Sequence, residues 1–439
     1  MPRFVKDGRF NFSENQDHVF IIAEIGVNHD GDRTKAVELT DLAKSCDADM
    51  VKFQAFDPHW LCNPTVAQAG YQLENQKGKR EAEDGFMEML HRYQMSRGQM
   101  IDVRRHCDRT DIGFLCTPFD VKSLRMLVDE VGVEMLKIGS GQLVHMPLLV
   151  EAGRSGLPVI ISTGVSNLEE IGMALTWIAF GRTHKEGLPD ASYVRMPTAD
   201  DLAVLKDNVA IMQCTTSYPA PLEETNLNVI TTLQDAFGLP VGFSDHTGTT
   251  NVMCGAVKLG ARFLETHITY DVNAIGPDHK ASHEKAAFRT YVANARAAVK
   301  KDFPVPDAAW GYGIKVCNAK EGAVHDIARN GLWAIRDIAP GEEFVLGENE
   351  ADVQYKNANV KAVRSVCELT PCALTVLLGQ KATKAIRAHA PIPADQIPPS
   401  KMKPAFLADK DPAGAKTRAR IEKLHGDMGL VGKAQKRVG

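Results

Sequence analysis

Histidines and carboxylates are concentrated in residues 243–282, in the words F-S-D-H-T, F-L-E-T-H and G-P-D-H-K-A-S. His246 and His267 each follow a short apolar run of strand length, with Asp245, Glu265 and Asp278 close by in sequence. Imidazoles at the ends of neighbouring parallel strands can converge on one metal ion whatever their separation along the chain. A plainer role fits the same residues, with Asp245 capping a helix and His267 a satisfied core histidine. Two lysines, Lys52 and Lys137, stand inside otherwise apolar runs, M-V-K-F-Q and E-M-L-K-I. An ammonium placed there needs an anion to offset its desolvation. A small dianionic phosphate carrying a carboxylate meets that need, with the hydroxyls of Thr117, Ser140, Ser162 and Ser244 and the N–H groups of the K-I-G-S-G turn as hydrogen-bond donors. A structural ion pair with Glu24 or Asp245 would meet it as well.

Positioning these groups requires strands that all end on one face. Residues 19–27 (V-F-I-I-A-E-I-G-V) form an apolar run interrupted only by Glu24, followed by a polar loop and a helical pattern over 34–43. Such a run reads as a buried parallel strand. Further strands are expected at 50–54, 113–116, 134–138, 158–162, 210–214, 241–244 and 262–265, separated by helical patterns and ending in a helix over 284–300. About eight such units predict an α/β fold, a (β/α)8 barrel, with insertions at 55–94 and 181–208. An open doubly wound sheet is the competitor, weakened by the lack of G-x-G-x-x-G after the first strand. Glu24, Lys52, Gln54, Thr117, Lys137, Ser140, Ser162, Gln213, Ser244, His246, Glu265 and His267 fall near the carboxyl ends of successive strands. That is the face where barrel enzymes build active sites.

The chain of 439 residues has room for one large domain and a smaller one. Its net charge of -4, with 24% charged residues, argues against a general nucleic-acid binder. No apolar run approaches the ~18 residues of a membrane span, and the amino terminus has no signal-peptide core, so no membrane partner is expected. Nine cysteines without C-x-x-C spacing suggest free thiols in a reducing, cytoplasmic setting. Residues 301–329, rich at first in proline, glycine and aromatics, read as a linker. A small domain of short strands is expected over 330–398, and a basic, disordered tail over 399–439.

The words A-E-I-G-V-N-H-D-G-D, V-K-F-Q, L-C-T-P-F-D, K-I-G-S-G, I-I-S-T-G, C-T-T-S-Y-P-A-P, G-F-S-D-H-T, E-T-H and G-P-D-H-K-A-S occur in this order over residues 15–300. In these the chain resembles the sialic acid synthase family, and residues 330–398 resemble that family's C-terminal SAF (antifreeze-like) domain. The resemblance implies a TIM barrel that condenses phosphoenolpyruvate with the open-chain aldehyde of an N-acylated mannosamine-like sugar, giving a nonulosonic acid and phosphate. It implies a divalent metal, Mn2+ with Mg2+ or Co2+ as alternatives, on His246 and His267. Phosphoenolpyruvate would be held by Lys52, Thr117, Lys137, Ser140, Ser162 and Ser244. Gln54, Thr216, Tyr218 and Asp278 would face the sugar, with Glu24, Gln142, Glu265 and Asp278 at the catalytic positions. A homodimer is implied, each SAF domain lying over the partner's barrel.

Three departures qualify this picture. Gln142 stands where the family commonly has an acid, and an amide exchanges no proton at neutral pH. Thr216 replaces a frequent asparagine. The family's K-R-P stretch, whose arginine reaches the partner's sugar, is expected at V-Q-Y-K-N (353–357), leaving Tyr355 or Lys356 nearby. A non-catalytic or regulatory member that binds phosphoenolpyruvate or sugar is the alternative. Another metal-dependent barrel enzyme, such as a hydrolase, is a more distant one, disfavoured by the paired lysines.

Overall fold

Eight apolar runs form the strands β1 (Phe20–Gly26), β2 (Met50–Ala55), β3 (Gly113–Pro118), β4 (Leu136–Ile138), β5 (Val159–Ser162), β6 (Val209–Cys214), β7 (Val241–Asp245) and β8 (Phe263–His267). The computed structural model describes residues 4–10, 17–66, 68, 70–75 and 85–430. All neighbouring strand pairs in this sheet are parallel, in the order β3-β2-β1-β8-β7-β6-β5-β4. The first strand therefore pairs with the last, Glu24 opposite His267, and the sheet rolls into a (β/α)8 barrel with one seam between β3 and β4.

Strand alternation sorts the side chains. Ile21, Ala23, Ile25, Val51, Phe53, Leu136 and Ile138 pack outward against the helices. Phe20, Ile22, Met50, Leu115, Ile160, Met212 and Phe263 fill the lower interior. The amino-terminal hairpin Val5–Lys6 with Arg9–Phe10 closes the bottom, its Phe4 ring 4.9 Å from Phe20 and 6.0 Å from Phe263. Above this plug the inward positions become polar. The two-residue period of a strand puts Lys52 above Met50, Glu265 above Phe263 and Ser162 above Ile160.

Residues expected to be a plain linker contain the helix Ala319–Ala328, started by a capping box between Asn318 and Glu321. The second module is built on β9 (Asn330–Ala334) and β10 (Val360–Arg364), an antiparallel pair extended by isolated bridges such as Ile338 to Ile386. The tail differs from its expected disorder: Ala415–Asp427 is a helix, with Thr417, Ile421 and His425 buried along one stripe. Three buried residues at four-residue spacing suffice to dock a helix whose remaining faces are basic. The last part of that tail, 431–439, and parts of the first insertion, 67, 69 and 76–84, lie outside the described residues. No described helix is long and apolar enough to cross a membrane, and all nine cysteines are free.

Candidate active site

A cavity of about 170 Å³ opens at the carboxyl ends of the strands. Of the residues singled out from the sequence it is lined by Glu24, Lys52, Gln54, Thr117, Lys137, Ser140, Gln142, Ser162, Thr216, Tyr218, Ser244, His246, Glu265, His267 and Asp278. Gln213, at the end of β6, is not among them; its phase turns it away, and its Nε2 donates to the Thr225 carbonyl at 3.0 Å. Asp245 also points outward and accepts from Thr247 N–H and Oγ1–H, which makes it a loop cap.

The floor is an ionic cluster. Lys137 Nζ donates to Glu265 Oε2 at 2.6 Å, and Lys52 Nζ lies 3.1 Å from Glu265 Oε1 and 3.2 Å from Glu24 Oε2. Lys52 also reaches Thr117 Oγ1 at 3.4 Å, and Ser244 Oγ donates to Glu265 Oε1 at 3.1 Å. The expected ion pairs with Glu24 and the expected cradle are thus one structure. Burial would raise the Glu265 carboxyl, but Lys137 and then Lys52 outweigh it and hold it well below the ordinary carboxylate range. At Glu24 burial prevails over Lys52 and lifts the carboxyl to about 7. Burial likewise pushes Asp278 up to about 6 and pulls the Lys137 ammonium below its ordinary value. The lysines thus favour the ionised form of Glu265, while burial disfavours the ionised form of Glu24 beside it.

Two glycines permit the close packing. Gly26 has φ +55° at a register shift in β1, and a Cβ there would lie 3.0 Å from Glu24 Oε1 and 3.1 Å from Gln54 Nε2. Gly164, in I-S-T-G, donates its N–H to Ser140 Oγ at 2.9 Å; a Cβ would overlap Thr216 Oγ1.

On the opposite wall the His246 and His267 rings stand 5.4 Å apart, with the Tyr218 ring 4.3 Å from the first and 5.6 Å from the second. His246 Nδ1 bonds the Thr215 carbonyl at 2.8 Å, and its Nε2, on the cavity side, lies 3.4 Å from Ser244 Oγ. His267 Nδ1 is buried with no hydrogen-bond partner, and Asp278 Oδ2 is 4.0 Å away. A ligating imidazole is commonly oriented by a carbonyl on its other nitrogen, as Thr215 orients His246. The donor set fits a divalent ion with an open coordination shell; among the described residues no cluster of three His, Cys, Asp or Glu surrounds it. Ser162 Oγ, Thr216 Oγ1 and both amide atoms of Gln142 are also buried without partners. Unsatisfied polar atoms gathered in one cavity suit a polar ligand.

Several lining residues escaped the sequence reading. Cys214 lies beneath His246, Sγ 3.8 Å from Nδ1. The helix Phe86–Tyr93 in the first insertion supplies Phe86, Met89, Leu90 and Tyr93, and the helix Ala319–Ala328 supplies Val324, Ile327 and Ala328. Glu321, on that helix, accepts from the N–H groups of Val165 and Thr216, each at 2.7 Å, so the former linker is fastened to two strand-end loops. Its N-A-K-E capping signature was readable. Residues 353–357 do not reach the cavity. They form the end of the helix Glu350–Lys356 and its cap Asn357, and Tyr355 is 78% exposed. Arg364, at the end of β10, lines the cavity instead, stacked on Phe119 with Cζ 4.8 Å from the ring centre. It reaches the barrel of its own chain.

Comparison with known proteins adds an independent line. The NeuB family model matches residues 39–302. The N,N'-diacetyllegionaminic acid synthase of Campylobacter jejuni is 35% identical over 327 residues, 74% of this chain and 88% of the relative. The human N-acetylneuraminate-9-phosphate synthase is 30% identical over 282 residues, 64% and 70% of the two chains. Among solved structures, the spore coat polysaccharide biosynthesis protein SpsE of Bacillus subtilis superposes with a TM-score of 0.67 at 28% identity, covering 89% of this chain and 96% of that one.

Proposed function

Since the chain belongs to the NeuB family, we propose that it is a nonulosonic acid synthase, condensing phosphoenolpyruvate with an N-acylated mannosamine-like sugar aldehyde. The observation that carries this reading is the pair of buried lysines, Lys52 and Lys137, lining one cavity with His246 and His267. An anionic enol and a carbonyl electrophile are accommodated by those two walls in turn.

The lysines and the hydroxyls of Thr117, Ser140, Ser162 and Ser244 bind the phosphate and carboxylate and fix carbon 3 of the enol toward the sugar. A divalent ion, Mn2+ by family similarity, would be held by His246 and His267 and would polarise the aldehyde. Carbon 3 bonds to the aldehyde carbon, water adds to carbon 2, and the resulting tetrahedral centre expels phosphate. Glu24, with its carboxyl lifted to about 7 and hydrogen-bonded by Gln54 at 3.2 Å, takes the proton of the adding water. Asp278 is the second carboxyl in that range, and Gln142 serves as a neutral hydrogen-bonding group to the sugar. Phe86, Met89, Leu90, Val324 and Ile327 offer an apolar bed for N-acyl methyl groups. By the same similarity the second module is an SAF-type domain, and the working form is a cytoplasmic homodimer.

The test is phosphate release. It should require phosphoenolpyruvate, a divalent ion and one member of a panel of N-acyl hexosamines, their deoxy analogues and 6-phosphates, all together. Hydrolysis of phosphoenolpyruvate without sugar, or no release across the panel, overturns the reading.

A further inference from the structure

A second, larger cleft of about 760 Å³ lies on the far side of the helix Ala319–Ala328, between the helix Leu168–Thr183, the second insertion and the carboxyl-terminal segment. Its charged lining comprises six Arg or Lys against the carboxylates Glu169, Glu170 and Asp409. Three of the cations are already matched: Arg329 with Glu170 at 2.7 Å, Arg420 with Glu169 at 3.3 Å, and Arg195 with Asp201, outside the lining, at 2.5 Å. That leaves Lys403, whose ammonium donates to the Ala191 carbonyl beside Asp190, and the exposed Lys410 and Lys416 against Asp409, so positive charge stays in excess. At the floor, the indole N–H of Trp177 and the Nε and Nη1 of Arg329 are buried without an acceptor, in side chains about 98% or more enclosed. Met173, Met196 and Leu407 give the cleft an apolar side. The chain's own remaining end does not complement it, because residues 431–439 carry Lys433, Lys436 and Arg437 and no acid.

We propose that this cleft is a second ligand site that takes a mononucleotide, its phosphate on Lys403, Lys410 and Lys416 and its base against Met173, Met196 and Leu407. A phosphate monoester near neutral pH carries close to two negative charges, the sign that the excess calls for. The site bears on the active site through one helix. Val324, Ile327 and Ala328 face the first cavity, while His325 and Arg329 face the cleft. Asn330 lines the cleft and, with its amide turned to suit its neighbours, donates to the Gly141 carbonyl at 3.2 Å, within the K-I-G-S-G turn. Occupancy of the cleft therefore changes the affinity of the active site for its anionic substrate, and the coupling is reciprocal.

The test is calorimetric titration of the full-length protein, with and without saturating phosphoenolpyruvate, using CMP, UMP, AMP, GMP and inorganic phosphate. At least one nucleotide should bind one per chain while phosphoenolpyruvate is present, and should shift phosphoenolpyruvate affinity measured in the converse titration. Lys410→Glu with Lys416→Glu, both exposed positions, should weaken nucleotide binding at least about tenfold, as loss of charge-assisted hydrogen bonds does. Ala408→Glu, a single change on the cleft wall, should do the same. No saturable heat from any nucleotide at millimolar concentration overturns the proposal. So does equal binding by both variants, by which the nucleotide sits elsewhere, or equal binding by inorganic phosphate, which would make it a simple anion site. The nucleotide titration reads no turnover, so failure of the synthase reading leaves this result intact.

Discussion

Replacing Glu265 by Gln keeps the shape of the ionic floor and removes its central charge. Lys137 is 1% exposed at its side chain, and Glu265 is the only acid paired with it among the described residues. Lys52 keeps Glu24 at 3.2 Å. The loss therefore falls on one fully buried ammonium, and breaking a buried pair by deleting one partner costs about 3–5 kcal/mol. For a domain of this size that lowers the unfolding midpoint by about 6–10 °C. Lys137→Met together with Glu265→Gln removes the stranded charge, and apolar replacement of both partners is often close to neutral. The double variant should thus recover at least about half of the loss, giving a clear coupling term in the cycle. On the proposed site phosphoenolpyruvate would supply the missing anion, so it should raise the midpoint of Glu265→Gln more than that of the parent protein. Thermal and denaturant unfolding of the parent and three variants, each with and without phosphoenolpyruvate, decides the matter. A cost below about 1 kcal/mol, or strict additivity of the two substitutions, would refute the view that Glu265 is what keeps Lys137 charged.

The metal assignment predicts that Mn2+ added to chelator-treated protein raises its unfolding midpoint, and that His246→Asn and His267→Asn each abolish that rise; retention of the rise by both places the ion elsewhere. Glu321→Ala leaves the buried amides of Val165 and Thr216 without an acceptor, at about 1–3 kcal/mol each, and should raise KM for the sugar by loosening Thr216; an unchanged KM would separate the strut from the site. His145 caps the helix Met146–Arg154 by accepting from the Leu148 N–H at 3.2 Å, which requires a neutral ring. Burial lowers its pKa to about 4. Because the folded value lies below the unfolded one, its contribution is present above about 6.5 and lost as pH falls toward 4. Relative to His145→Asn, the parent should lose stability across that window and not above it, as read by denaturant midpoints at stepped pH.

How far the site could be read from the chain follows from distance. The phase of each strand was carried locally, because one inward polar residue in an apolar run, such as Lys52 or Lys137, marks both the strand and its face. The first and last strands of a barrel must meet, and in the structure this brings Glu24 opposite His267. Features resting on contacts between distant segments were not readable. Arg364 reaches the cavity only because β10 packs near Phe119, and nothing local in A-V-R-S announces that. The helix Phe86–Tyr93 has a helical apolar stripe, but its partner face on the cavity is fixed by the fold of the whole insertion. In the tail, basic composition concealed the narrow stripe of Thr417, Ile421 and His425.

The placement of Arg364 over its own barrel bears on how the protein can be genetically complemented. If each chain furnishes its whole cavity, a dimer contains two self-sufficient workshops rather than two halves that must be exchanged. Co-expressing a chain disabled at His267 with one disabled at Arg364 would then yield no restored centre in the mixed pair.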